Sequence, residues 1–189
     1  IFIESARKAT HFIQLANKSN TPLLFIHNTT GFMVGKKHEQ NGMINSGSQL
    51  IHAVAGSTVP HISLQIGNSY GAGNYAMCGR SFNPRFLFSY PNSKSGVMGA
   101  DQLAGVMEIV KRRSAQSLNK KIDEKLLQEE KKKLADQADK KASVWHTTSE
   151  VWDDGVIDPR DTRKYLSLSL AAVYKSGIKG TNSFGVFRM

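Results

Sequence analysis

The sequence is poor in cysteine, with Cys78 the only one among 189 residues. A single thiol excludes an internal disulfide framework and a cysteine-rich metal site, because both need several cysteines. No apolar run reaches the length of about 18 residues that a membrane-spanning helix requires, so we expect no membrane association. The chain opens at Ile1, without an initiator Met and inside a helical pattern, so we expect a fragment or a processed chain.

Acidic residues are scarce beside basic ones. The 15 Asp and Glu accompany 25 Lys and Arg, which gives a formal net charge of +10 at pH 7. This charge makes a polyanion-binding module one candidate function. No aromatic residues interleave with the basic runs 111–113 and 131–133, however, so we expect no nucleic-acid partner. The phosphates of coenzyme A would account for a basic surface equally well.

Strand-like and helical patterns alternate along the chain. Apolar spacing predicts helices over 2–18 and 43–55, from 101 onward and over 160–174, and it predicts strands over 23–26, 61–66 and 86–90. This alternation favours an α/β fold with parallel strands and right-handed crossovers. Residues 114–141 are charged and poor in aromatics, and they predict a helical lobe outside the core. The end of the chain, from Phe184, is expected to dock in an extended form.

A glycine-rich stretch at 67–79 connects the strand predicted at 61–66 to a short helix ending near Met77. A strand, a glycine turn and a helix start align backbone N–H groups at the positive end of a helix, which stabilises negative charge. The glycines fit neither a Walker loop nor the Gly-x-Gly-x-x-Gly dinucleotide fingerprint. An oxyanion hole built from amides is therefore favoured over a phosphate-binding loop. A tight strand-to-helix junction that admits only small residues and has no chemical role explains the pattern equally well.

Other catalytic side chains are hard to find. There is no Gly-x-Ser-x-Gly elbow, and the six histidines show no metal-ligand spacing, so no metal site is predicted. We interpret Asp153, Asp154 and Asp158 as capping and turn residues rather than ligands of a divalent metal. Cys78 lies among small residues and is interpreted as a buried small hydrophobe.

Several longer motifs resemble one known family. They lie, in chain order, at 20–26, 28–35, 69–75, 77–80, 84–87, 97–99, 151–159 and 184–189. Together they resemble the carboxyltransferase β subunits of biotin-dependent acyl-CoA carboxylases, above all those of the methylcrotonyl-CoA carboxylase type. The resemblance implies a crotonase-like (ClpP/crotonase) α/β fold, a spiral of β-β-α units. It also implies that residues 1–189 are most of a C-terminal carboxyltransferase domain, N-terminally incomplete, with the charged lobe 114–141 within it.

The same resemblance implies the residues of the site. The backbone amides of Ala72 and Gly73 would form the oxyanion hole for the ureido carbonyl of biotin and stabilise the enolate left after carboxyl transfer. The residues implied to lie beside the biotin or to shape the turn are Thr30, Gly31, Phe32, Tyr70 and Gly71. A second oxyanion hole, for the acyl-CoA enolate, would come from the N-terminal domain of another β subunit.

The activity implied is transfer of CO2 from carboxybiotin to an acyl-CoA, first of all 3-methylcrotonyl-CoA of leucine degradation. Geranyl-CoA and propionyl-CoA are alternatives, because the acyl pocket lies largely in the missing N-terminal domain, and a purely structural domain is a further one. Biotin would be carried by an α subunit that also contains the biotin carboxylase and uses ATP and bicarbonate. Family members assemble as α6β6 with a β6 core. The expected location is the mitochondrial matrix, or the cytoplasm of a bacterium.

Overall fold

The computed structural model describes residues 1–119 and 122–187. The elements in chain order are α1 (Ile3–Lys18), β1 (Leu23–Thr29), α2 (Lys36–Gln40), α3 (Met43–Gly56), β2 (His61–Tyr70), α4 (Gly71–Ala76), β3 (Phe86–Ser89), β4 (Lys94–Gly96), α5 (Ala100–Ser117), α6 (Glu124–Ala142), α7 (Val144–Ser149) and α8 (Thr162–Lys175). Short 3-10 turns span Arg80–Phe82 and Pro159–Asp161. Within the described ranges, no helix is both long and apolar enough to cross a bilayer.

The strands β1, β2 and β3 form a parallel sheet in that order, with β2 in the middle. Residues 61–65 of β2 are all buried, although the polar residues His61, Ser63 and Gln65 alternate with Ile62 and Leu64. Because the strands are parallel, their carboxyl ends lie at one edge of the sheet. The predicted α/β fold with parallel strands is thus confirmed.

The strand β4 was not predicted. It pairs in parallel with the last residues of β2, Asn68 with Lys94 and Tyr70 with Gly96. Three residues reading Lys-Ser-Gly offer neither an apolar run nor a clear alternation, so the local pattern contains no strand signal. The pairing with β2 alone makes this segment a strand.

The turn into α4 begins later than predicted. The prediction placed a glycine turn from Gly67, but β2 continues to Tyr70 because its last residues pair with β4, and α4 begins at Gly71. Gly67 instead allows β2 to lie close to the side chain of Asn28, since a Cβ on Gly67 would come within 2.5 Å of Oδ1 of Asn28. Gly71, with φ of +51°, is the residue that turns the chain.

The main core lies where α1, α3 and the sheet meet. Its buried apolar residues include Ala6, Ile13, Leu23, Phe25, Leu50, Ala53 and Val54. Full burial of one large side chain of this kind stabilises the fold by about 1.5–3 kcal/mol. Phe184 and Phe187 pack against the same core, so the end of the chain docks as expected. Arg188 and Met189, the last residues of the terminal motif, lie outside the described residues.

The charged segment predicted at 114–141 comprises the end of α5 and almost all of α6, which pack against each other. Ion pairs connect the two helices: Arg112 bonds Glu124 at 2.8 Å, and Lys131 lies 2.9 Å from Glu108. Leu127 is one of few buried residues in α6. Lys120 and Lys121 lie outside the described residues.

Candidate functional site

A cavity of about 580 Å³ lies at the carboxyl ends of the strands, where β2 passes into α4. Distant parts of the sequence form its wall: the start of α4, the end of β3, residues 95–97 at and after β4, and residues 152–153. Most of the wall is apolar, with a few polar groups. Small-molecule sites in α/β proteins have this composition and this position relative to the sheet.

The start of α4 supplies backbone donors to this cavity. Gly71 and Ala72 line it, and no side chain caps the helix, since the N-cap residue is Tyr70. The first amides of a helix have no partner within the helix, and they lie at its positive end. A Cβ on Gly71 would lie 2.7 Å from the carbonyl oxygen of Val97, so only glycine permits this close approach. The arrangement can stabilise negative charge on a ligand oxygen.

Gly73 faces away from the cavity wall, toward the loop after β1. A Cβ on Gly73 would come within 2.9 Å of Cα of Gly31 and 3.1 Å of Cγ2 of Thr29. The loop therefore packs directly against the first turn of α4, and Gly73 has to be small. The structure brings Gly31 to this turn, and Gly31 is not among the residues of the cavity wall.

The remaining predicted residues lie around this turn. Thr30 is exposed at the surface of the loop. The ring of Phe32 would contact a Cβ on Gly47 of α3 at 3.2 Å, and it packs against the main core. Tyr70 is buried, and burial raises its pKa. Its ring lies beside Gly96 of β4, so Tyr70 anchors the end of β2 rather than lining the cavity.

A buried hydrogen-bond chain fixes α4 against the sheet. Nδ2 of Asn74 donates to Oγ of Ser69 at 2.9 Å, and Oγ of Ser69 lies 2.9 Å from Nδ1 of His27. The Ser69 hydroxyl can accept from Asn74 and still donate to or accept from Nδ1 of His27, and the tautomer of His27 decides which of the two donates. Burial lowers the pKa of His27 to about 4, against a smaller opposing effect of the Met77 carbonyl. The sequence contains no signal for this chain of contacts.

The aspartates after α7 have three different roles. Asp158 caps the 3-10 turn at 159–161 by accepting the Arg160 N–H, as predicted. A carboxylate oxygen of Asp154 accepts the N–H of Leu87 at 2.7 Å and so holds β3. Asp154 and Asp153 thus cap no helix, unlike the prediction: Asp153 accepts a hydrogen bond from the hydroxyl of Thr148, is 6% exposed and is one of the residues around the cavity. Neither a cap nor a turn explains that position.

The buried pair His61 and Cys78 is a structural feature of the core. Nδ1 of His61 lies 3.1 Å from Sγ of Cys78, and Nε2 lies 2.8 Å from Oγ of Ser57. Burial lowers the pKa of His61 to about 4 and raises the pKa of Cys78 to about 12. Both groups are therefore neutral at pH 7, and Cys78 is buried as predicted. Among the described residues, no three His, Cys, Asp or Glu side chains cluster as a metal site would require.

Comparison with known proteins places this geometry in context. Residues 1–186 match the family described as "Carboxyl transferase domain". The chain is 53% identical to the probable biotin-dependent acyl-coenzyme A carboxylase beta2 subunit of Mycobacterium tuberculosis, and the match covers 100% of this chain and 36% of that protein. It is 44% identical to the mitochondrial methylcrotonoyl-CoA carboxylase beta chain of Dictyostelium discoideum, with 100% and 32% covered.

A solved structure shows the same fold. The chain superimposes on the beta subunit of geranyl-CoA carboxylase from P. aeruginosa with a TM-score of 0.84 and 46% identity, covering 98% of this chain and 35% of that one. The expected crotonase-like fold is thereby confirmed. The chain spans about a third of the length of the relatives it matches.

Proposed function

Because this chain belongs to the carboxyl transferase domain family, we propose that it forms the biotin-binding part of a carboxyltransferase β subunit. The observation that supports this most is the uncapped start of α4 in the cavity wall. The whole subunit transfers a carboxyl group from biotin to an acyl-CoA thioester. Relatives of the chain are named as biotin-dependent acyl-CoA carboxylases, which supports the same proposal.

The cavity suits a bicyclic ring with one polar edge. Its wall is mostly apolar, and it includes Gly71 and Ala72 at the start of α4. Ala72 lies in the cavity wall and Gly73 is the next residue of the same turn, and their N–H groups would donate to the ureido oxygen when biotin is bound. Loss of one such preorganised donor costs about 3 kcal/mol of transition-state stabilisation. When bound, biotin supplies the carboxyl group that is transferred.

The residues around α4 hold these donors in place. Gly71 brings the turn against Val97, and the loop at 30–32 supports the other side through the contact between Gly31 and Gly73. Tyr70 anchors the end of β2. The loop at 30–32 therefore supports the first turn of α4 from the side of β1 without lining the cavity, and Phe32 is fixed in the core. These contacts hold the first turn of α4 on two sides, and oxyanion stabilisation requires donors that are positioned in advance.

We propose 3-methylcrotonyl-CoA as the acyl acceptor, with geranyl-CoA as the alternative. Both compounds correspond to enzymes named among the relatives. Biotin arrives on an α subunit whose biotin carboxylase consumes ATP and bicarbonate, and the β subunits form the β6 core of an α6β6 assembly. The location is the mitochondrial matrix or, for a bacterial protein, the cytoplasm.

The test uses the full-length subunit co-expressed with its biotinylated partner. Carboxylation that depends on ATP and bicarbonate is measured with 3-methylcrotonyl-CoA, geranyl-CoA and propionyl-CoA. Preference for methylcrotonyl-CoA supports the full proposal, whereas preference for another thioester retains the mechanism and changes the substrate. Absence of carboxylation with all three, in the presence of a biotinylated partner, refutes the enzymatic assignment.

A further inference from the structure

Ser69, near the end of β2, is fully buried and bonds to three other elements. Its hydroxyl oxygen accepts a hydrogen bond from Nδ2 of Asn74 in α4 at 2.9 Å and lies 2.9 Å from Nδ1 of His27 in β1. Its carbonyl oxygen accepts a hydrogen bond from the hydroxyl of Ser95 in β4 at 3.2 Å. Asn74 and Ser95 line the cavity, whereas Ser69 and His27 do not. A residue outside the wall therefore connects two separate parts of it.

An irregularity in the pairing of β1 and β2 brings Ser69 to this position. The last regular pair is His27 with Gln65, and the next pair is Thr29 with Ser69. β1 advances by two residues between these pairs while β2 advances by four, so Ser69 stands where Gly67 would stand in an unbroken register. Bulges of this kind re-aim side chains and are frequent beside functional sites. Gly67 has no side chain, so only the bulge puts a hydroxyl at this point.

A second serine of the same strand shows what a merely structural hydroxyl does. Ser63 is buried to the same extent and donates to one group, the carbonyl oxygen of Cys78, at 2.7 Å. Neither of these two residues belongs to the cavity wall. Ser69 instead bonds to Asn74 in one part of the wall and to Ser95 in another. Because buried polar networks rigidify the groups that they join, Ser69 restricts how far the two parts move relative to each other.

We propose that Ser69 is a positioning residue for carboxyl transfer, because it holds the α4 part and the β4 part of the cavity wall in place through Asn74 and Ser95. This inference rests on the proposed function, and it assigns no ligand contact to Ser69. Without the hydroxyl, the carbonyl of residue 69 still holds Ser95, but the side chain of Asn74 loses its partner and α4 can shift against β4. A displacement of about 1 Å in a catalytic site can slow a reaction about a hundredfold.

The experiment uses the full-length subunit with its biotinylated partner and measures kcat and KM for the acyl-CoA at a temperature well below melting. Ser69→Ala should lower kcat about tenfold with little change in KM, because it misplaces part of the site and removes no substrate contact. Asn74→Ala should also lower kcat, and the double variant should be no slower than the slower single variant, because Ser69 acts through Asn74. Ser46→Ala is the matched control: Ser46 is 1% exposed, accepts a hydrogen bond from Nε of Arg7 and lies outside the wall, so this variant should lose stability and keep its kcat.

Hydrogen exchange provides a readout that needs no turnover. The amides of residues 71–79 and 94–97 should exchange faster in Ser69→Ala than in Ser46→Ala, and equal exchange refutes the inference. An unchanged kcat of folded Ser69→Ala, or losses that multiply in the double variant, also overturns it and leaves the proposed function intact. Absence of carboxylation by the wild type overturns the proposed function, and hydrogen exchange then tests Ser69 alone. If Ser69→Ala does not fold, Ser95→Ala should accelerate exchange in 71–79, and unchanged exchange there refutes the inference.

Discussion

The turn into α4 can be tested by adding one methyl group at Gly71. In Gly71→Ala, the residue keeps a φ of +51°, which disfavours an L side chain by about 1–2 kcal/mol. The new Cβ also lies 2.7 Å from the carbonyl oxygen of Val97, a backbone atom directly after β4. Together these effects should lower the free energy of unfolding by about 2–4 kcal/mol.

In a domain of this length, each kcal/mol of lost stability lowers the melting temperature by about 2–4 °C. Thermal melting of the full-length subunit provides the assay, with carboxylation as the second readout. Movement of the α4 amides should reduce turnover about a hundredfold. Gly105→Ala is the matched control: a Cβ on Gly105 meets nothing within 4 Å, and Gly105 lies inside α5.

The control should stabilise the protein by about 0.5–1 kcal/mol, since alanine is the better helix former. If Gly71→Ala melts at the same temperature as Gly105→Ala and retains full turnover, the close approach of Gly71 to Val97 is not what positions the amides. The reasoning about the turn would then be wrong.

Three further predictions concern the site and the buried network. Ala72→Val should abolish carboxylation while the size of the assembly, measured by light scattering, stays unchanged; unchanged turnover would favour a purely structural domain. Stability should rise with pH between about 4 and 6.5, because burial lowers the pKa of His27 and His61 from 6.5 to about 4 and the unfolded chain binds more protons in this window. Each histidine contributes about 3 kcal/mol, present above pH 6.5 and lost as the pH falls toward 4, and a flat urea midpoint across this range would contradict the assignment. Ser69→Ala should destabilise the protein by about 2–3 kcal/mol because it leaves buried partners unpaired, whereas the exposed Ser48→Ala should change the urea midpoint little.

Local patterns in the sequence were sufficient to predict most elements. The apolar run at 23–26 after Pro22 predicts β1, and the helical spacing of Ile13 with its neighbours predicts α1, because burial of one face selects these periods. The boundary at the end of β2 was misplaced. There, pairing with β4 overrides the turn preference of Gly67.

The candidate site, too, was predicted only in part from the sequence. Local features, a strand, glycines and a helix start, predict an oxyanion hole made of amides, and the family resemblance alone implies that Ala72 and Gly73 supply them. Of the three aspartates predicted as capping and turn residues, Asp158 caps a turn, whereas Asp153 binds Thr148 and Asp154 binds Leu87 of β3. Nothing in their spacing distinguishes these roles.

The sequence by itself determined most of the strands and helices, the α/β class and the presence of a junction from β2 to α4, since each depends on residues close together in the chain. The tertiary structure alone decided that Asp153 and Val97 meet the start of α4 in one cavity. It also decided that His27 reaches α4 through Ser69. Such contacts depend on strand register and helix packing, which join residues far apart in sequence and have no period that a local pattern can reveal.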